Sequence, residues 1–265
     1  MQGAATCRTR SASRREEVNM LIISTKSEFI KLLNRIKNRV LLSLIAVISI
    51  FTALFSSGGL SVNIAGISLR FYNGAFTVLD QLNRIIIPLI VFMLCADIIS
   101  HEFSDLTIKA GLLRPVGKAT LFISKWLAVV LFGSCCLGVS FIFGGIVSVV
   151  LGQMNILTAI TAYIVSVLPL CASAAMAALL SSVITAPALS MFISIVVYIL
   201  LNCVGFISST WGIIFYTAHV NWYKMFTGSF SFMLLQSIVN FALMLAAYTI
   251  LFLIIGKIVF SGKKV

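Results

Sequence analysis

Apolar and polar residues fall into long blocks along this chain rather than alternating. Unbroken apolar runs occupy about 40–57, 84–100, 126–151, 157–182, 187–208 and 232–260. A helix rises about 1.5 Å per residue, so roughly 20 apolar residues cross a bilayer core about 30 Å thick. The pattern therefore predicts an all-α polytopic membrane protein with six transmembrane helices. Ahead of the first run, Phe29, Leu32, Leu33, Ile36 and Val40 recur at helical spacing, with Ser27, Lys31, Asn34, Arg35 and Asn38 on the opposite face. That spacing predicts an amphipathic helix lying in the interface, opened by Thr25 and Glu28 as a capping box. Ser56-Ser57-Gly58-Gly59 ends the first span, and residues 60–83 are placed outside the membrane with a short surface helix at 76–82. Pro88 falls in the first turns of the second span, where a missing backbone donor is tolerated. Short polar joints at 152–155 and 184–187 separate the third, fourth and fifth spans.

Composition makes a soluble domain untenable: 60% of the 265 residues are hydrophobic and only 10% are charged. The net charge of +12 adds an orientation. With six spans both termini share a side, and Lys26, Lys31, Arg35, Lys37, Arg39, Lys109, Arg114, Lys118, Lys125, Lys257, Lys263 and Lys264 fall on it. Only Arg70, Arg84 and Lys224 fall opposite. The positive-inside rule makes the terminal side cytoplasmic. No polar stretch is long enough to form a nucleic-acid surface, so no nucleic-acid partner is expected. Residues 1–23 are read as a disordered or non-native extension and 24–265 as one six-helix transmembrane domain. Arg14-Arg15-Glu16-Glu17 ahead of Met20 could translate a purine-rich ribosome-binding segment, which would make Met20 the start; a disordered basic tail is the equal alternative.

Candidate chemistry is sparse. Cys95, Cys135, Cys136, Cys171 and Cys203 sit inside apolar runs and suggest neither disulfides nor metal ligands. Gly111 to Thr120 falls short of a phosphate-binding loop, with five residues between the glycines, Ala119 after Lys118 and no preceding strand. With no HExxH or GxSxG motif either, the chain is expected to be no enzyme and to carry no cofactor or metal. Asp97 is an ionisable group near the end of the second span, a candidate intramembrane polar site with His101, able to pair with His101 or a loop lysine. Ser140, Gly144 and Ser148 in the third span, and Cys171/Ala175 and Ser173/Ala177 in the fourth, mark close helix packing, within the chain or between subunits. Trp211, Phe215, Tyr216, Trp222, Tyr223 and Phe226 before the last span suit a re-entrant or interfacial element, read as an aromatic belt, and His219 is given no ligand role.

The main polar interruption, 101–125, holds Glu102, Asp105, Thr107, Lys109, Arg114, Pro115, Lys118 and Lys125. Phe103, Leu106, Ala110 and Leu113 follow helical spacing and Pro115 stops the pattern, which predicts a short amphipathic helix between the second and third spans. This segment, from the acidic Glu102 through Thr107-Ile-Lys109 and Leu112-Leu113 to Pro115-Val116-Gly117-Lys118, resembles the signature loop of ABC-type-2 exporter permeases. Leu106 stands where that family often has Gly, and Lys118 where it usually has Arg. The resemblance extends to the layout over 24–260: interfacial elbow helix, six spans and a coupling helix between helices 2 and 3. It implies a permease subunit of an ATP-binding cassette exporter that pairs with a second permease and docks on separate cytosolic ATPase subunits, which hold the ATP and Mg. Glu102, Asp105, Thr107, Lys109, Arg114, Pro115 and Lys118 would then lie at the ATPase contact. Two alternatives belong to other classes, an ion-coupled secondary transporter using Asp97 and His101 and a non-transporting membrane scaffold or sensor.

Overall fold

The computed structural model describes residues 19–56, 61–64, 67–70, 74–101, 117–151, 156–207, 214–227 and 232–262. Six of its helices are long and apolar enough to cross a membrane: Ile36–Ser56, Ala75–Ser100, Lys118–Val150, Ile156–Val183, Pro187–Val204 and Gln236–Gly262. They run alternately up and down, so the bundle has a near end, beside His101 and Lys118, and a far end, beside Asp80 and Lys224. The expected all-α fold is present. Its one addition among the described residues is a two-stranded antiparallel hairpin, β1 (Ser61–Ile64) with β2 (Ile67–Arg70), in the register Ser61 opposite Arg70 through Ile64 opposite Ile67. Apolar Val62, Ile64, Ile67 and Leu69 alternate there with polar neighbours, a period of two too short to stand out in the sequence.

The first helix, α1, covers 19–34 and breaks at Arg35 before α2 (Ile36–Ser56) begins. Thr25 is not its cap. The helix is already running six residues earlier, and the Thr25 hydroxyl donates to the Leu21 carbonyl at 2.8 Å, four residues back. The break is held by Asn38, which the spacing had placed on the polar face but which is fully buried. Its side-chain amide donates to the Leu32 carbonyl at 2.8 Å, which also accepts from the Arg35 N–H at 3.3 Å, while its own N–H bonds Arg35 O at 3.0 Å, so one side chain ties the end of α1 to the start of α2.

The second span starts about ten residues before the apolar run does. Helix α3 (Gly74–Gln81) passes through a π-turn (Leu82–Ile86) into α4 (Ile87–Cys95), then through a second π-turn (Ala96–Ser100). Asp80 and Asn83, read as outside the membrane, are on this helix ahead of Arg84, where the span was expected to begin, and Pro88 lies deep within it rather than in its first turns. The helix can start early because Asp80 is neutralised locally by Lys224 at 2.8 Å and Arg84 at 3.9 Å.

Helix α5 (Lys118–Val150) is the third span, α6 (Ile156–Val165) and α7 (Val167–Val183) together the fourth, α8 (Pro187–Ile207) the fifth, and α9 (Phe232–Gly262) the last. Two 3₁₀ turns, Tyr216–His219 and Trp222–Thr227, precede α9. At the centre stands α7, which packs against α9, α4, α5 and α8. Ala172, Ala174, Ala175, Ala177, Ala178, Ser181 and Ser182 are all fully buried on it. Small side chains let four neighbours approach one backbone, and the serines return their hydroxyls to their own helix or an adjacent one. The small stripe in α5 works the same way within this chain, since Ser140 Oγ meets Tyr163 Oη at 3.3 Å and Gly144 faces Val78 and Ser49. The outer faces of α2, α8 and α9 keep Val47, Phe51, Phe192, Leu200, Leu243 and Ile254 exposed, which suits lipid contact.

Crowding at α7 sets the first prediction. Ala177→Leu, with no exposed surface to expand into, should cost about 1–3 kcal/mol and lower the thermal unfolding midpoint in detergent. Gly144→Ala is the counterpart: a Cβ there sits 3.5–3.8 Å from Val78 and Ser49, ordinary contact. It should be neutral or raise the midpoint, through roughly 0.5–1 kcal/mol of helix propensity.

Candidate functional site

The near end gathers the polar side chains that frame the 102–116 segment. Asp97 lies in the first turn of the second π-turn and forms an ion pair with Lys37 in the first turn of α2, a partner the sequence reading did not name. Chain order hides this partner, because the elbow at Arg35 folds the start of α2 against the end of the second span. Lys37 remains half-exposed while Asp97 is mostly covered, so the pair contributes about 0.5–1 kcal/mol. From α5, Lys125 reaches in with only 2% of its surface exposed and donates to the Ile98 carbonyl at 3.2 Å. Ser100 Oγ lies 2.9 Å from the Ile184 carbonyl and 3.1 Å from that of Ser181, at the end of α7. Ser24 of α1 bonds Ser124 of α5 at 3.1 Å.

Helices α2, α5 and α7 thus each fasten the same five-residue π-turn. A π-turn misaligns successive backbone bonds, which is why side-chain donors collect there. The result is a braced end to the second span, from which His101 leads into 102–116, while Lys118 opens α5 on the return. His101 is exposed and Lys118 half-buried. Glu102, Asp105, Thr107, Lys109, Arg114 and Pro115, together with the amphipathic helix expected across them, lie outside the described residues. Lys37, and the burial of Lys125, were not foreseen: a charge near a span end signals a need for a partner but not which one.

Chemically this end is a set of hydrogen bonds and an ion pair that brace the second span; the described residues hold no cluster of metal-ligating side chains. Their cysteines are free, with Cys95 and Cys136 buried.

The far end has its own polar cluster. Besides the two cations on Asp80, the Tyr223 hydroxyl donates to the Phe76 carbonyl at 3.2 Å and lies 3.5 Å from Asp80. Burial, with the Asp80 carboxylate beside it, holds the Tyr223 phenol protonated well above its ordinary range. Tyr216, Trp222 and Tyr223 are all buried against the spans, so these three are not an aromatic belt facing lipid headgroups. His219 packs its ring 4.4 Å from that of Phe241.

Six helices long and apolar enough to cross a bilayer, packed as one bundle, define a multi-pass membrane protein. The model of a family described as ABC-2 family transporter protein matches residues 24–209. This chain belongs to that family and is an ABC transporter permease. The match runs from α1 through α8 and includes the 102–116 segment. A search of curated proteins finds no match.

Removing the braces should separate their roles. Asp97→Asn should lower stability by no more than about 1 kcal/mol, because Lys37 can turn to solvent. Lys125→Met keeps the chain length but leaves the Ile98 carbonyl without this donor, and should cost about 1–3 kcal/mol. Chemical unfolding in detergent, followed by tryptophan fluorescence, checks both.

Proposed function

We propose that this chain is the permease subunit of an ATP-driven exporter, forming the translocation path while a separate cytosolic ATPase subunit hydrolyses ATP. The observation that carries the reading is the brace on the second π-turn. Lys37, Lys125 and Ser100 tie three helices to the point where the second span enters the 102–116 segment. A push on that segment would be delivered to α2, α5 and α7 together, which is what a remote motor needs in order to move a bundle. The family match supports the same reading. Glu102, Asp105, Thr107, Lys109, Arg114, Pro115 and Lys118 would meet the ATPase, ATP and Mg would reside on that partner, and a second permease, identical or not, would complete the path.

The excess of Lys and Arg on the terminal side supports cytoplasmic termini in a bacterial plasma membrane. Transport would follow from differential binding of ATP to two states of the assembly, shifting their populations. Asp97 already has structural work in pairing with Lys37, which leaves the secondary-transporter reading with less support.

Affinity purification of the tagged chain from its native membrane in mild detergent, with mass spectrometry of partners, is the direct test. A P-loop ATPase should co-purify, and should be lost when Glu102→Ala and Lys109→Ala are combined. Recovery of the chain without any ATPase, together with a proton-dependent flux abolished by Asp97→Asn, would sink the proposal in favour of the secondary transporter.

A further inference from the structure

A proline inside a helix removes one N–H and leaves the carbonyl four residues earlier without its bond. Of the four prolines in the chain, Pro115 lies outside the described residues and Pro187 opens α8, where no donor is needed. Pro88 and Pro169 sit inside spans. Their orphaned carbonyls belong to Arg84 and Val165, and each is taken by an aromatic donor from another part of the chain. The Tyr198 hydroxyl of α8 donates to Arg84 O at 3.0 Å, and the Trp222 indole N–H donates to Val165 O at 3.2 Å. Both spans deform at these points. The second passes through its π-turn at Leu82–Ile86, and the fourth breaks at Ser166 between α6 and α7. The two deformations also touch: the Asn83 amide donates to Ser166 Oγ at 2.9 Å, and both residues are buried.

In lipid no water stands ready to replace a lost donor, so a carbonyl freed by proline costs several kcal/mol unless protein supplies a partner. A span can then change its bend cheaply only where that partner can leave and return as a unit. Trp222 satisfies this condition, since it rides on the short segment Trp222–Thr227. Besides the indole bond, that segment is held by the Tyr223 hydroxyl on Phe76 O, the stacked Phe76 and Tyr223 rings, the burial of Trp222 and Tyr223 against the spans, and the half-exposed Lys224–Asp80 pair. Tyr198, inside the long helix α8, has no such freedom.

We propose that Pro88 and Pro169 form a single hinge layer across the second and fourth spans, and that the Trp222–Thr227 segment is its lock. With the indole on Val165 O, the far halves of both spans are held. When the segment lifts, the fourth span is free to bend at Ser166, and the Asn83–Ser166 bond carries the movement to the second. This device is independent of which partner drives the near end.

The test is hydrogen exchange with mass spectrometry on the full chain in lipid nanodiscs, read over peptides covering 156–168 and 216–227. Trp222→Phe keeps an aromatic ring and removes the N–H, so exchange in both peptides should accelerate about fivefold, the worth of one hydrogen bond. Pro169→Ala gives Val165 O its own helical donor. In that background Trp222→Phe should leave 156–168 unchanged. An equal acceleration of 156–168 in both backgrounds would mean that Trp222 acts by packing alone and would overturn the proposal, as would no acceleration in the parent. If Trp222→Phe does not fold, Lys224→Gln loosens the segment with the indole in place. It should speed exchange in both peptides together, and acceleration of 216–227 alone would again overturn the lock.

Discussion

Close approach at one helix governs this structure. Helix α7 buries a run of alanine and serine among α4, α5, α8 and α9, and small side chains over most of its length let one backbone hold four neighbours. Between apolar helices in lipid there is little hydrophobic gain from association, so the energy has to come from packing distance and from satisfied polar groups. The rest follows from that geometry. The second span is trapped between α7 and α5, and the near-end π-turn comes within reach of Ser181 and Ile184.

Polar residues are deployed at the levels where the helical backbone departs from regularity. Lys125 donates to a carbonyl of one π-turn, Tyr198 to one of the other and Trp222 to the carbonyl before the break at Ser166, while Ser100, Asn83 and Asn38 tie these places to neighbouring segments. A backbone carbonyl left without a partner in lipid is costly, so donors at these places stabilise the irregular turns. The bundle is therefore stiff in its regular stretches and adjustable at a few layers. A transport protein that must alternate between two arrangements without unfolding in lipid needs that division.

Much of the architecture was legible in the residue order. Six apolar runs of bilayer length gave six spans, and the stripe at Ser140, Gly144 and Ser148 marked a close contact. The misreadings have physical causes. Asp80 and Asn83 resembled a polar loop because hydropathy cannot see that Lys224, some 140 positions later, neutralises Asp80. Thr25 resembled a cap because the same hydroxyl can bond forward from outside a helix or backward within it. Tyr216, Trp222 and Tyr223 resembled a belt because an aromatic ring with one polar atom suits a headgroup layer as well as a buried carbonyl.

Local properties were decided by the sequence alone: the membrane as solvent, the number of crossings and the small faces on the third and fourth spans. Each depends on the character of neighbouring residues along one helix, which the order of residues specifies directly. Pairing was decided only in three dimensions. That Asp97 meets Lys37, that α7 is the hub, and that Tyr198 and Trp222 complete the helices broken by Pro88 and Pro169 all depend on how the elbow and the crossings bring distant segments together. A proline or a buried charge announces that a partner must exist, because the alternative in lipid is too costly. Only the packed fold says which residue it is.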